Sequence, residues 1–193
     1  MQFEDVLNKR YSVRKFDGRK VEKEKIDAIL NAARMAPTAK NNQPQRIFVL
    51  ESGDALEKFK KSTIYHFNAP LAFLICYDNT LSWTRPFDGK DCGQVDAAII
   101  TTYMMLEATA QGLGTTWVGY LDPEVVRETF SLPENLMPVV FLPAGYPAAD
   151  CVPSERHALR KQLADTVTVL QKISALSGDF YFFWHISLAI FLD

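Results

Sequence analysis

Apolar residues at Ile26, Ile29, Leu30 and Ala33 recur at i, i+3, i+4 and i+7, the stride of one helical face, and predict a helix over Glu22–Arg34. Pro37 closes it. A shorter helix is expected over Phe3–Lys9, ended by the arginine-rich segment that follows. Ile47–Leu50 reads as a buried strand and Ala55–Lys61 as a short surface helix. Leu71–Tyr77 is an unbroken apolar run of strand length, which predicts a central strand covered on both faces.

Val95–Gln111 is the longest helical candidate, apolar nearly all round, so it is either buried or packed against a second subunit. Gly112 and Gly114 stop it. A strand is expected over Thr115–Val118, and a helix over Pro123–Phe130 with Asp122 as its cap and proline in its first turn. Another apolar strand follows at Val139–Ala144, then a last amphipathic helix at Ala158–Leu170. Helices and strands intermingle without strict alternation, which gives an α+β class.

With 193 residues, 48% of them hydrophobic, the chain suits one domain with a sizeable core. The net charge is 21 − 23 = −2, which argues against a dedicated nucleic-acid binder. Cys76, Cys92 and Cys151 form no C-x-x-C, so reduced thiols are expected rather than a zinc ribbon or a disulfide framework. The start of the chain has no signal-like apolar stretch, and a cytoplasmic location is expected. Phe180–Leu192 is the greasiest run, yet it is shorter than the roughly 20 residues a bilayer span needs. No membrane partner is expected.

There is no P-loop, no H-E-x-x-H and no G-x-S-x-G, and His66, His157 and His185 are too scattered for a metal site. Gly112-Leu113-Gly114 follows a helix and precedes a strand, the reverse of a dinucleotide fingerprint. Three other segments carry chemistry. In Arg10-Tyr11-Ser12-Val13-Arg14, extended backbone puts Arg10, Ser12 and Arg14 on one side, two guanidinium forks about a hydroxyl, suited to a phosphate dianion. Ala36-Pro37-Thr38-Ala39-Lys40-Asn41-Asn42-Gln43-Pro44 is dense in amides, which can read the edge of a heterocycle. Thr116-Trp117-Val118-Gly119 ends in a glycine that lets backbone approach a flat ligand. Taken singly, each has a plain alternative: a solvated strand edge, a helix-stop loop, a core strand running into a turn.

Taken together, R-x-S-x-R, A-P-[ST]-x-x-N-x-Q-P, G-L-G-x-x-W-V-G and Ala144-Gly145-Tyr146-Pro147 resemble, in order and spacing, the flavin-dependent nitroreductase family over about Phe3–Leu170. The resemblance implies a mostly antiparallel sheet flanked by helices in an interlocked homodimer, with two FMN sites lined by both chains. By the same resemblance Arg10, Tyr11, Ser12 and Arg14 hold the ribityl phosphate and near ring edge. Pro37, Thr38 and Asn41 reach the flavin from the other subunit, helped by Gln43. Trp117, Val118 and Gly119 supply backbone contacts, and Arg160 with Lys161 adds a late cationic contact to the phosphate. No catalytic side chain is implied, because the cofactor carries the chemistry.

The implied activity is reduction of nitroaromatics, quinones or similar electron-poor small molecules with NADH or NADPH, by a ping-pong cycle. Another redox role on the same fold (dehalogenation, desaturation, flavin degradation) and a non-catalytic flavin-binding protein stay open as alternatives. Gln45 departs from the family, which often has an aromatic after Q-P. Residues 1–171 form the expected domain, and 172–193 are an apolar C-terminal extension. An arm on a partner subunit and an artefactual, out-of-frame end both fit that extension.

Overall fold

The computed structural model describes residues 2–169, so the extension lies outside the described residues. Two compact units divide the chain, Met1–His157 and Ala158–Asp193. The first holds α1 (Phe3–Lys9), α2 (Lys23–Met35), β1 (Gln45–Leu50), α3 (Gly53–Ser62), β2 (Leu71–Asp78), α4 (Gly93–Ala110), β3 (Gly114–Thr115), α5 (Pro123–Phe130) and β4 (Leu136–Gly145). The four strands run antiparallel in the order β1-β2-β4-β3.

β2 explains the layering. Leu71 to Cys76 are all buried, and alternation sends Leu71, Phe73 and Ile75 to one face and Ala72, Leu74 and Cys76 to the other. The first face packs with Ile26, Ile29 and Ala33 of α2 and with Ile100, Met104 and Ala108 of α4. The second packs with Phe59 of α3 and Val126 of α5, around Phe141 of β4. This is the two-sided cover that a continuous apolar strand requires.

Local signals placed several boundaries. The side chain of Asp122 accepts from the N–H groups of Glu124 at 2.9 Å and Val125 at 3.4 Å, capping α5 beside Pro123. Ser52 caps α3 by accepting from Ala55 N–H at 3.2 Å. Gly93 opens α4 against the ring of Tyr77, where any Cβ would fall 2.0 Å from Tyr77 Cδ2.

Two sequence expectations are corrected. The strand over Thr115–Val118 is confined to Gly114–Thr115; beyond it Thr116 N–H donates to Pro143 O at 3.3 Å, with no N–H on the proline to answer it, and Val118 forms an isolated bridge to Phe141. The helix over Ala158–Leu170 is absent from residues 158–169, which hold a single 3-10 turn at Leu163–Asp165. Leu159, Leu163, Val167 and Val169 are all exposed there, and a short helix with no buried face is marginal in water.

Candidate functional site

The arginine-rich segment is laid into the fold by backbone bonds. Ser12 bridges Thr115 in parallel, and Val13 N–H donates to Thr115 O at 2.9 Å. The Thr116 hydroxyl donates to Val13 O. Asp17 N–H donates to Tyr146 O, and Ala148 N–H to Lys15 O, both at 3.0 Å. The alternation predicted for this segment is visible in Val13, which is buried, while Arg14 is exposed. Gly114 permits the approach, because a Cβ there would meet Val13 Cγ2.

Within this cluster Arg14 Nη1 donates to Ser12 O at 3.2 Å. Tyr11 OH donates to Cys151 O at 3.1 Å, and its ring stands edge-on to His157. Burial, followed by the neighbouring Cys151, raises the Tyr11 phenol above its ordinary pKa. The Thr115 hydroxyl oxygen is buried without a hydrogen-bond partner among the described residues. Two guanidinium groups and a hydroxyl on one edge are a donor set that fits a phosphate.

The amide-rich loop is a different construction. Lys40, Asn41 and Gln43 all adopt positive φ, at 51°, 56° and 50°, a conformation uncommon for residues other than glycine. Internal bonds hold it: Asn41 N–H to Thr38 O at 2.9 Å, and Gln43 N–H to Thr38 Oγ1 at 3.1 Å. Ala39 N–H donates at 2.9 Å to Oδ1 of Asp96, which is 2% exposed in the first turn of α4. Asn42 Nδ2 donates to Leu81 O at 3.0 Å, tying the loop to the turn after β2. The outcome is a stiff loop with Pro37, Asn41 and Gln43 exposed and Thr38 half-buried. Local strain of this kind collects where a fold presents groups to a ligand.

Trp117 and Gly119 are exposed, whereas Val118 exchanges both of its backbone bonds with Phe141, at 2.9 and 3.0 Å. The Val118 backbone is thus engaged by β4, and the neighbours on either side face outward. Next to them lies an aromatic group that sequence reading did not single out. Tyr65 stands edge-on to Tyr120 with ring centroids 5.3 Å apart, and Phe67 lies 6.1 Å from Tyr65. Thr63 Oγ1 donates to Tyr120 O at 2.7 Å, holding the two segments together. Phe67 and Asn68 are consecutive positive-φ residues, a signal visible only in the backbone. Arg160 and Lys161 belong to the second unit, where both are exposed and Arg160 Nη1 donates to Leu159 O at 2.8 Å.

Within the first unit, the arginine-rich segment and the amide loop sit at opposite ends of α4. Asp96 anchors the loop near the N-terminus of the helix, and Gly114–Thr115 anchors the arginine segment just past its C-terminus. At 1.5 Å per residue, the 14 steps from Asp96 to Ala110 alone span about 21 Å. The sheet repeats the separation: Asp78 N–H donates to Pro44 O at one end of β2, while Leu71 at the other end pairs with Ala144, the partner of Thr115. One face of α4 is uncovered, with Val95 53% and Tyr103 40% exposed and Ile99 and Leu106 half-buried. Among the described residues no cluster of three or more His, Cys, Asp or Glu could hold a metal, and no helix is long and apolar enough to cross a membrane.

Comparison with known proteins bears on the family and the fold. The profile of the Nitroreductase family matches residues 7–72 and 65–146. A relative from Methanothermobacter thermautotrophicus, provisionally named NADH dehydrogenase/NAD(P)H nitroreductase, is 34% identical over 75% of this chain and 76% of its own. The crystal structure of a nitroreductase family protein from Clostridium difficile 630 is 43% identical, covers 91% of this chain and 100% of its own, and superposes with a TM-score of 0.82. A structure from Exiguobacterium sibiricum, provisionally described as a nitroreductase in complex with FMN, has a TM-score of 0.74 over 88% of this chain and 98% of its own; at 19% identity the likeness is of fold.

Proposed function

The chain belongs to the nitroreductase family, and from that premise we propose that it is an FMN-dependent oxidoreductase drawing on NADH or NADPH to reduce small electron-poor acceptors such as nitroaromatics and quinones. The observation that carries the reading is the pair of donor sets at the two ends of α4: cations and a hydroxyl at one, amides and Thr38 at the other. When bound, FMN supplies the redox chemistry. The residues present fit it. Arg10, Ser12 and Arg14 match a phosphate monoester, Tyr11 borders them, and the outward edge of Trp117–Gly119 leaves room for a flat ring system. Arg160 and Lys161 enter this proposal from sequence order alone.

Some 21 Å of helix separates the two donor sets within one chain, about twice the length of an isoalloxazine ring, so the two ends of one α4 do not meet on one ring. A second copy resolves this. Val95, Ile99, Thr102 and Leu106 recur along the uncovered face of α4 at i, i+4, i+7 and i+11. Two such faces meeting antiparallel about a two-fold axis bury each other. The Thr38–Gln43 loop of one chain then comes to the Arg10–Arg14 end of the other. Reductant and acceptor would use the same opening in turn, which is the ping-pong cycle, with Tyr65, Phe67 and Tyr120 as an aromatic wall.

Anaerobic mixing of the purified, FMN-loaded protein with NADPH or NADH tests the reading. Bleaching of the yellow colour, restored by a nitroaromatic or a quinone, is the expected result. Flavin that binds but is never bleached by either nucleotide would leave a binding protein instead. A colourless monomer that cannot be reconstituted would end the proposal.

A further inference from the structure

The Thr38–Gln43 loop has three residues in the left-handed region, so something must hold it there. Its internal bonds run from Asn41 N–H to Thr38 O, from Asn42 N–H to Ala39 O and from Gln43 N–H to Thr38 Oγ1, and among the described residues its one backbone bond to a side chain elsewhere in the fold runs from Ala39 N–H to Asp96 Oδ1. Asp96 is unusual in two ways. It is 2% exposed, and its second oxygen, Oδ2, is buried without a hydrogen-bond partner among the described residues. A carboxylate is costly at such a site unless charge and donors compensate. Its place in the first turn of α4 supplies the charge, since the positive end of the helix dipole favours an anion, and Ala39 N–H supplies a donor to Oδ1. No motif considered for the cofactor includes Asp96, and it lies 53 residues beyond Gln43 in sequence.

We propose that Asp96 is the positioning residue of the site: by accepting from Ala39 N–H it locks the strained loop, and so sets how well Thr38, Asn41 and Gln43 receive FMN. It acts through the loop rather than by touching the cofactor. The proposal rests on the functional reading above for its cofactor, but the locking of the loop is testable without it.

Two measurements on the full chain decide it. Lys40 is exposed within the loop, so trypsin reports loop opening by the rate of cleavage between Lys40 and Asn41. Fluorescence titration with FMN reports the affinity. For Asp96→Ala, cleavage at Lys40 should accelerate and FMN binding should weaken, each by about tenfold or more, as expected for losing a hydrogen bond to a charged acceptor. Asp96→Asn keeps a carbonyl oxygen for Ala39 N–H and should stay within about threefold of the unmodified chain in both readouts. A merely structural role predicts no such rescue, and faster cleavage at every lysine alike.

Should Asp96→Ala fail to fold, Ala39→Pro removes the donor instead. Proline suits the first position of a helical turn, and Thr38 already has the extended backbone that precedes a proline, with φ −131° and ψ 157°. Ala39→Pro should weaken FMN by the same margin. Unchanged cleavage or affinity in Asp96→Ala, unchanged affinity in Ala39→Pro, or an Asp96→Asn as defective as the alanine variant would each overturn the proposal. If the unmodified chain binds no FMN, the functional reading fails, while selective cleavage at Lys40 still reports on Asp96.

Discussion

Val13 crosses Gly114 so closely that a methyl group on the glycine would lie 2.3 Å from Val13 Cγ2. That contact fixes the depth at which the arginine-rich segment lies against β3. Gly114→Ala should therefore push the segment outward, cost about 1–3 kcal/mol of stability, and lower the flavin content of the purified protein. Gly53→Ala, at the start of α3, is the matched control, since a Cβ there would meet nothing within 4 Å. Thermal unfolding and the ratio of flavin to protein absorbance distinguish the two. Equal behaviour of both variants would contradict this account.

Arg10→Ala and Arg14→Ala should each weaken FMN binding by roughly ten- to a hundredfold, the range for losing a charge-assisted hydrogen bond. Stability should hardly change for Arg14→Ala, because among the described residues its side chain makes only the 3.2 Å bond to Ser12 O and it is exposed. Titration at two salt concentrations should show the gap between variant and parent narrowing as salt rises, if the contact is to phosphate.

A glutamate at Tyr103, on the uncovered face of α4, should separate a dimer paired along that face, because each chain would bury a charge beside its own copy. Sedimentation velocity should then report a monomer, and flavin should be lost with it. A Tyr103→Glu dimer that retains FMN would rule out pairing along this face.

Burial pushes the Cys76 thiol up to about 12, so it stays protonated and unreactive in the folded protein at neutral pH. A thiol reagent should modify Cys92 and Cys151, both half-buried, and reach Cys76 only on unfolding. The unfolded thiol titrates near 9.0. The folded value is the higher one, so Cys76 favours the unfolded chain increasingly as pH rises past that point. Mass spectrometry of the modified native protein checks the first expectation, and Tm measured from pH 8 to 10 on the parent and Cys76→Ala checks the second.

Asp78 behaves in the opposite sense. The Thr80 hydroxyl at 2.6 Å, then Asn135, the Thr80 N–H and Arg46, hold its carboxyl below the ordinary 3.8. Its stabilising effect is complete above the ordinary value and fades as pH falls through the lowered one. The Tm difference between the parent and Asp78→Asn should shrink steadily between pH 5 and pH 3. A difference independent of pH over that range would show that the charge of Asp78 contributes nothing.

Periodicity carried the fold where a residue's environment is settled by its near neighbours. The stripe Ile26–Ala33 and the run Leu71–Tyr77 became α2 and β2 because each had a sheet or helix to cover it. At α4 the pattern could say only that apolar residues lie all round; which face is uncovered depends on the sheet and α2 together. The strand after Gly114 ended early because Thr116 falls opposite Pro143, which accepts from Thr116 N–H and has no N–H to return the bond, so that pairing resumes only at Val118. In the candidate site, the donor chemistry of Arg10–Arg14 and Thr38–Gln43 was legible as composition. The bond from Ala39 to Asp96 and the meeting of Tyr65 with Tyr120 were not, since each joins segments more than 50 residues apart.

The placement of the two donor sets at opposite ends of α4 has a genetic counterpart. Suppose one batch of chains carries Arg14→Ala and another Asn41→Ala, each inactive alone. In a mixed pair joined along α4 as proposed, the lesions would fall together in one site, and the other site would inherit two sound halves. Co-expression of two dead alleles should therefore recover activity that neither provides, as interallelic complementation.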